Sequence, residues 1–116
     1  MFKINGAELE DLDFFDSEVL EKYENALDDV MSKSKNVTGE KSSEIIKKEC
    51  QIVYEFFDKL WGEGTGQKVF KGKYNVMTSF KAFEEVNNKA SEQKKELDSM
   101  LNKYSANRAT RRSKGK

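Results

Sequence analysis

Apolar residues recur in pairs through residues 45–61, and this pattern predicts the central helix of the fold. The pairs are Ile45-Ile46, Ile52-Val53, Phe56-Phe57 and Leu60-Trp61. Their spacing places them on one side of an α-helix, where each pair covers two neighbouring columns. Because that side is too broad for one neighbour to cover, we expect helix 43–61 to be packed against at least two other helices.

Two further periodic stretches predict the covering helices, at about 18–33 and 76–104. The first has apolar residues at spacings of three and four, namely Val19, Leu20, Tyr23, Leu27, Val30 and Met31. The apolar face predicted for the second consists of Val76, Met77, Phe80, Phe83 and Val86. The predicted N-caps of the three helices are Asp16-Ser17, with Ser17 favoured, then Ser42 or Ser43, and Asn75, because their side chains can accept a bond from an orphan backbone N–H.

The first ten residues predict a β-hairpin over 2–10. Short alternating runs flank Asn5-Gly6, a dipeptide favoured where both central turn residues need positive φ. Two strands alone are marginal in water, so we expect Phe2, Ile4 and Leu9 to rest on a helix, together with Phe14 or Phe15.

Glycines between residues 62 and 72 predict a break followed by a short helix at about 66–71. Gly62 directly follows the last apolar residue of the central helix and suits a left-handed C-cap. A phosphate-binding loop is excluded, because a helix precedes the segment, the glycine spacing is one residue too long, and Tyr74 stands where a serine or threonine is needed.

The second half of the last helix changes character. Residues 87–96 are almost wholly polar before Leu97, Met100, Leu101 and Tyr104 resume the apolar pattern. Phe83, Ala90, Leu97 and Tyr104 lie seven residues apart and form one heptad column. Two interpretations remain open: a partly frayed helix with one buried column, or a helix whose end meets another subunit.

Composition supports a small, mainly α fold. The 116-residue chain contains no proline and one cysteine, and its hydrophobic and charged fractions are both 36%. We predict a compact helical bundle with a long C-terminal helix, built from a small N-terminal β-hairpin, three main helices and a short connecting helix. A single domain at 1–105 is followed by a flexible basic tail at 106–116.

The net charge of zero conceals an asymmetry between the two ends of the chain. Residues 1–31 contain ten acids and two lysines, whereas the last ten residues contain five cations and no acid. Either these are a solvated acidic face and a disordered tail, or they are complementary between copies or with a partner. The predicted partner-binding residues are Leu97, Met100, Leu101, Tyr104, Arg108, Arg111 and Arg112.

The sequence lacks histidine, the commonest general base and metal ligand, although carboxylates are abundant. Its lone Cys50 cannot build a zinc site, and no calcium loop occurs. We therefore expect no enzyme activity, cofactor, metal or small-molecule substrate. No apolar run approaches the roughly 20 residues needed to span a bilayer, so we expect no membrane partner and a cytoplasmic location. Nucleic-acid binding is disfavoured because no aromatic residue interleaves the basic tail.

Several short motifs resemble small tail-module proteins of phages and prophages of Gram-positive bacteria. They are Phe2-Lys3-Ile4-Asn5-Gly6, Asp13-Phe14-Phe15-Asp16, Glu21-Lys22-Tyr23-Glu24, Phe56-Phe57-Asp58, Leu60-Trp61-Gly62-Glu63-Gly64, Val69-Phe70, Asn75, Phe80 and Phe83-Glu84. The ending Asn107-Arg108-Ala109-Thr110-Arg111-Arg112 resembles the finish of phage tail assembly chaperones.

That resemblance implies a protein that binds other phage tail proteins in the cytoplasm of the bacterial host, with the tape measure protein as candidate partner. A tail assembly chaperone coats the tape measure protein before tail-tube subunits polymerise around it, so it needs no active site. Two alternatives stay open: a structural tail component retained in the virion, and a small nucleic-acid-binding protein that uses the basic C-terminal tail. A homo-oligomer is compatible with all of them.

Overall fold

The structure, a computed structural model, describes the backbone of residues 2–114 and the side chains of residues 2–104. Along the chain it contains β1 (Phe2–Ile4), β2 (Ala7–Leu9), α1 (Ser17–Lys35), α2 (Ser42–Trp61), α3 (Thr65–Phe70) and α4 (Val76–Lys114). The predicted fold class is confirmed: the chain is mainly helical, with a small N-terminal hairpin and a long last helix.

Helix α2 is the centre of the domain, since α1, α3 and α4 all pack on it. Its buried residues are Cys50, Ile52, Val53, Tyr54, Phe56, Phe57 and Leu60. Ile45 in the first turn is exposed, so the buried part of the broad apolar side begins later than the sequence pattern suggested. The central position that the paired apolar residues predicted is therefore confirmed for the second half of the helix.

The N-terminal hairpin forms as predicted and is attached to the helices by polar bonds. Strands β1 and β2 are antiparallel, and Asn5 and Gly6 both have positive φ in the turn between them. The Asn5 side-chain amide donates to the backbone oxygen of Val69 at 2.8 Å, which ties the turn to α3. Trp61 Nε1 donates to the backbone oxygen of Glu10 at 2.7 Å, which fixes the segment that follows β2.

The apolar residues of the N-terminal segment divide between the core and the surface. Ile4 and Leu9 are buried, and Phe2 is half-buried with its ring stacked on Trp61. Of the two neighbouring phenylalanines, Phe14 is buried and Phe15 is exposed. Phe14 contacts the edge of the Tyr23 ring, so this residue closes the core between the hairpin and α1.

The face of α4 that packs on the domain differs from the predicted one. Met77 and Phe80 are exposed, whereas the neighbouring small residues Ser79 and Ala82 are buried. Val86 is buried as predicted, and Val76 and Phe83 are half-buried. The small side chains of Ser79 and Ala82 allow α4 to pack closely on the domain. The larger side chains of Met77 and Phe80 lie outside that contact.

Two of the predicted N-caps are wrong and one is confirmed. Asp16, not Ser17, caps α1, and its carboxylate accepts from the backbone N–H of Glu18 at 2.9 Å. Helix α2 begins after Lys41, with no side-chain cap bond from a serine. Asn75 does accept from the backbone N–H of Thr78 at 3.1 Å, as an N-cap should.

The predicted C-terminal boundaries also need correction. Gly62 has φ 112° and ψ 158°, which is outside the left-handed helical region although φ is positive. At the end of α3, Lys71 itself adopts the left-handed conformation before Gly72. Helix α4 continues to Lys114, ten residues past its predicted end, because no glycine or proline interrupts the chain between Gly72 and Gly115.

Close contact between α3 and α2 makes Gly66 a sensitive position. A Cβ added at Gly66 would lie 2.9 Å from the backbone Cα and oxygen of Tyr54. We expect Gly66→Ala to lower the free energy of unfolding by about 1–3 kcal/mol, the usual cost of overpacking, as measured by urea denaturation.

Gly39→Ala is the control for this variant. The three atoms nearest to its added Cβ would be side-chain atoms of Glu44 and Ile45, at 3.1 Å or more, and none of the three is a backbone atom. Its effect should stay within about 0.5 kcal/mol. Equal losses in the two variants would contradict the close α2–α3 contact.

Candidate partner-binding surface

Helix α4 extends well beyond the rest of the domain. It contains 39 residues, which at about 1.5 Å per residue is roughly 58 Å of helix. The molecule measures 67 × 32 × 21 Å, and its radius of gyration is 18.5 Å, compared with about 13 Å for a compact domain of similar size. One end of α4 therefore projects away from the bundle.

The side of α4 that packs on the domain stays apolar where the helix leaves it. At about 100° per residue, one arc of the helix carries the buried column and its continuation. Its members, in chain order, are Ser79, Ala82, Val86, Ala90, Gln93, Leu97, Met100, Leu101 and Tyr104. They are buried as far as Ala90, half-buried at Gln93 and Leu97, and exposed from Met100 onwards. We call Leu97, Met100, Leu101 and Tyr104 the α4 stripe.

A groove of about 360 Å³ lies beside the start of this stripe, between α1 and α4. It forms because α1 and α4 both pack on α2 rather than closely on each other. We call it the α1–α4 groove, and its lining residues are Phe14, Leu20, Tyr23, Glu24, Leu27, Asn87, Ala90, Ser91, Lys94, Leu97 and Asp98. Leu97 belongs to both features, so the groove and the α4 stripe are one continuous surface.

A hydrogen bond from Tyr23 to Asn87 crosses the floor of the α1–α4 groove. The Tyr23 hydroxyl donates to Asn87 Oδ1 at 2.6 Å and links α1 to α4. Burial raises the pKa of Tyr23 above its ordinary value, so the hydroxyl keeps the proton that it donates. The ring itself lies against Phe14 and Phe56, and the groove therefore has an aromatic floor.

Gln93 holds the N-terminal segment at one end of the groove. Its Oε1 accepts from the backbone N–H of Phe14 at 2.8 Å, and its Nε2 donates to the backbone oxygen of Leu12 at 3.2 Å. One side chain thus satisfies two backbone groups that no strand or helix pairs. This bond pair attaches the acidic segment before α1 to the base of the projecting helix.

The charges around this surface are uneven. Glu24 of α1 lines the groove opposite Lys94 and Asp98 of α4. Residues 1–31, which include the α1 wall and the adjoining segment, contain ten acids and two lysines. In contrast, residues 103–116 contain six cations and no acid. The groove is therefore acidic on its α1 side, and the far end of α4 is basic.

The structure brings together four of the seven residues predicted to bind a partner. Leu97, Met100, Leu101 and Tyr104 share one side of α4, and the last three are exposed. Arg108, Arg111 and Arg112 lie beyond the residues whose side chains are described. Sequence reasoning missed Leu20 and Leu27, because their spacing in α1 is the same as that of core residues.

Among the described residues, no group of three or more histidine, cysteine, aspartate or glutamate side chains is placed to hold a metal ion. None of the helices described is long and apolar enough to cross a bilayer.

The comparison with protein families identifies one match. The pattern of DUF6673, a family of unknown function, covers residues 5–115, and the chain belongs to that family. No curated protein and no solved structure matches the chain significantly.

Replacing Gln93 tests how the groove is held together. We expect Gln93→Ala to lower the free energy of unfolding by about 1–3 kcal/mol, because it leaves backbone groups of Leu12 and Phe14 without partners. Hydrogen exchange at the Phe14 amide should accelerate in the same variant. Urea denaturation and exchange measured by NMR check both effects.

Gln51→Ala is the matched control, since Gln51 is exposed on α2. Its change in stability should remain within about 0.5 kcal/mol. Unaltered exchange at Phe14 in Gln93→Ala would show that Gln93 does not anchor the segment.

Proposed function

We propose that the chain is a phage tail assembly chaperone or accessory protein that acts by protein–protein binding in the cytoplasm of the bacterial host. The α4 stripe and the α1–α4 groove form its partner-binding surface, and the tape measure protein is the candidate partner. The phage assignment rests on the sequence resemblance described above. The observation that carries the binding role is the apolar side of α4, which continues beyond the domain that it helps to build.

An uncovered apolar stripe on a projecting helix is well suited to binding. In water, a helical segment without tertiary contacts is only marginally stable, because most helical stability in proteins comes from packing an amphipathic face. Met100, Leu101 and Tyr104 are all at least half exposed, so this part of α4 has an apolar face that remains largely in contact with solvent. A partner that covers the stripe would stabilise α4 and bury the apolar surface in one step.

The geometry also favours an elongated partner over a compact ligand. Helix-in-groove recognition uses anchors at spacings of three, four and seven residues, and the α4 stripe provides Leu97, Leu101 and Tyr104 at those spacings. A long protein such as a tape measure protein has room for many binding segments of that kind. Binding many copies along one such partner requires no catalytic step.

A structural tail component that stays in the virion is the second candidate, because the same surface could bind a permanent neighbour. Mass spectrometry of purified particles distinguishes the two functions. A chaperone should be absent from finished tails, whereas a structural component should be present at a fixed copy number. A nucleic-acid-binding role has no support beyond the basic C-terminal sequence.

Co-expression with the tape measure protein of the same phage tests the proposal. We expect the chain to co-purify with the tape measure protein and to increase its soluble yield. Met100→Asp should reduce co-purification about tenfold, because it places a charge at the centre of the apolar stripe.

Met77→Asp is the matched control on the opposite side of α4. Met77 is 61% exposed and Met100 is 52% exposed, so neither change should unfold the domain. The control should co-purify as well as the unmodified chain. Absence of any association for the unmodified chain would count against the chaperone role, and equal losses in the two variants would count against the α4 stripe.

A further inference from the structure

We propose that, in the absence of another partner, a second copy of the chain covers this surface to form an antiparallel homodimer. The end of α4 from each copy lies along the α4 stripe and the α1–α4 groove of the other. The partner and the second copy would then compete for the same apolar residues. The dimer follows from the geometry and charge of the chain itself and does not depend on which phage protein is the partner.

Each copy of the chain contains both halves of the contact. The groove between α1 and α4 offers a site for the apolar face of another helix, and the projecting part of α4 has such a face. A contact in which the same patch is used on both copies closes about a two-fold axis, which is the commonest symmetry of soluble oligomers. In such a dimer, the exposed side chains of Met100, Leu101 and Tyr104 are covered in both copies.

Helix length is compatible with this arrangement. From Leu97, where the stripe leaves the groove, α4 continues for another 17 residues to Lys114, a length of about 26 Å or nearly five turns. With the two-fold axis close to Met100 and Leu101, residue 97 of one copy lies opposite residue 104 of the other. Residue 108 then lies opposite residue 93, at the end of the α1–α4 groove.

Charge determines the direction of the two helices. The segment 103–116 carries six cations and no acid, so a parallel arrangement would place two basic ends side by side. In the antiparallel arrangement, each basic end reaches the part of the other copy where Gln93 holds the segment before α1. Residues 8–24, which include that segment and the start of α1, contain eight acids and one lysine. Opposite charges then meet at both ends of the interface, which favours this orientation.

Polar residues in a second heptad column support a specific register. Phe80, Asn87, Lys94 and Leu101 lie seven apart, next to the column of Phe83, Ala90, Leu97 and Tyr104. The Asn87 side chain already accepts a hydrogen bond from Tyr23 of the same chain. Lys94, which lines the groove, is therefore the polar residue of this second column that would lie in the dimer interface. A lysine at such a position disfavours other registers at a cost in stability.

The test begins with the purified full-length chain alone. Sedimentation equilibrium should give a mass twice the 13.4 kDa of one chain, with a dissociation constant that rises as salt is added. We expect Met100→Glu to raise that constant about tenfold or more, and Met77→Glu to leave it within about twofold. A chain that stays monomeric up to about 1 mM, or equal effects of the two variants, would overturn the dimer.

Cysteine cross-linking tests the direction of the helices. Cys50 is fully buried, so it can stay in place as the chain's own thiol. When Leu97→Cys and Tyr104→Cys chains of different tag length are mixed and oxidised with glutathione disulfide, the mixed disulfide should dominate. Disulfides only between copies of the same variant would show parallel helices and overturn the arrangement.

The same samples separate this inference from the proposed function. A monomer that nevertheless co-purifies with the tape measure protein would overturn the dimer and leave the chaperone role standing. A cross-linked antiparallel dimer that never binds the tape measure protein would support the dimer and count against the chaperone role. If both hold, adding the tape measure protein should decrease the yield of the mixed disulfide.

Discussion

The rest of the structure depends on the packing of aromatic rings around Phe56 and Phe57 of α2. Phe56 contacts Tyr23 of α1 and Phe83 of α4 edge-to-face, with ring centroids 6.2 and 4.8 Å apart. Phe57 contacts Phe70 of α3 and stacks on Trp61, which in turn stacks on Phe2 of the hairpin. The hairpin, through Phe2 of β1, and the helices α1, α3 and α4 thus each place a ring on this cluster, and the broad apolar side of α2 is what brings them together.

Because that cluster occupies only half of α2, it also decides which surfaces remain open. The helices α1 and α4 are held by their contacts with α2 and by the Tyr23–Asn87 bond, and the space between them is left as the α1–α4 groove. Helix α4 is longer than the core can cover, so its apolar side continues into solvent. The candidate binding surface is therefore a direct consequence of how the core is built, and the proposed partners would complete that packing.

Much of the fold could be predicted from local pattern. The paired apolar residues of α2, the Asn5-Gly6 turn and the Asn75 cap each depend on a few neighbouring residues, and the structure has all three. The errors have a common physical origin. The apolar pattern predicts Met77 and Phe80 on the buried face because large apolar residues usually lie there, but the structure buries the small residues Ser79 and Ala82 instead. Ser17 is an equally good cap by type, and backbone geometry selected Asp16.

The sequence by itself determined the helical class, the central helix, the hairpin and the apolar residues at the end of α4, since periodicity and turn chemistry are local properties. Only the tertiary structure decided that Leu20 and Leu27 line a groove with Leu97, because residues far apart in the chain must meet before a groove exists. It also decided that Gln93 anchors the segment at Leu12 and Phe14, a contact that spans about 80 residues of sequence and leaves no periodic signal. Burial is a property of the assembled helices, and a single helix pattern cannot say where the core ends.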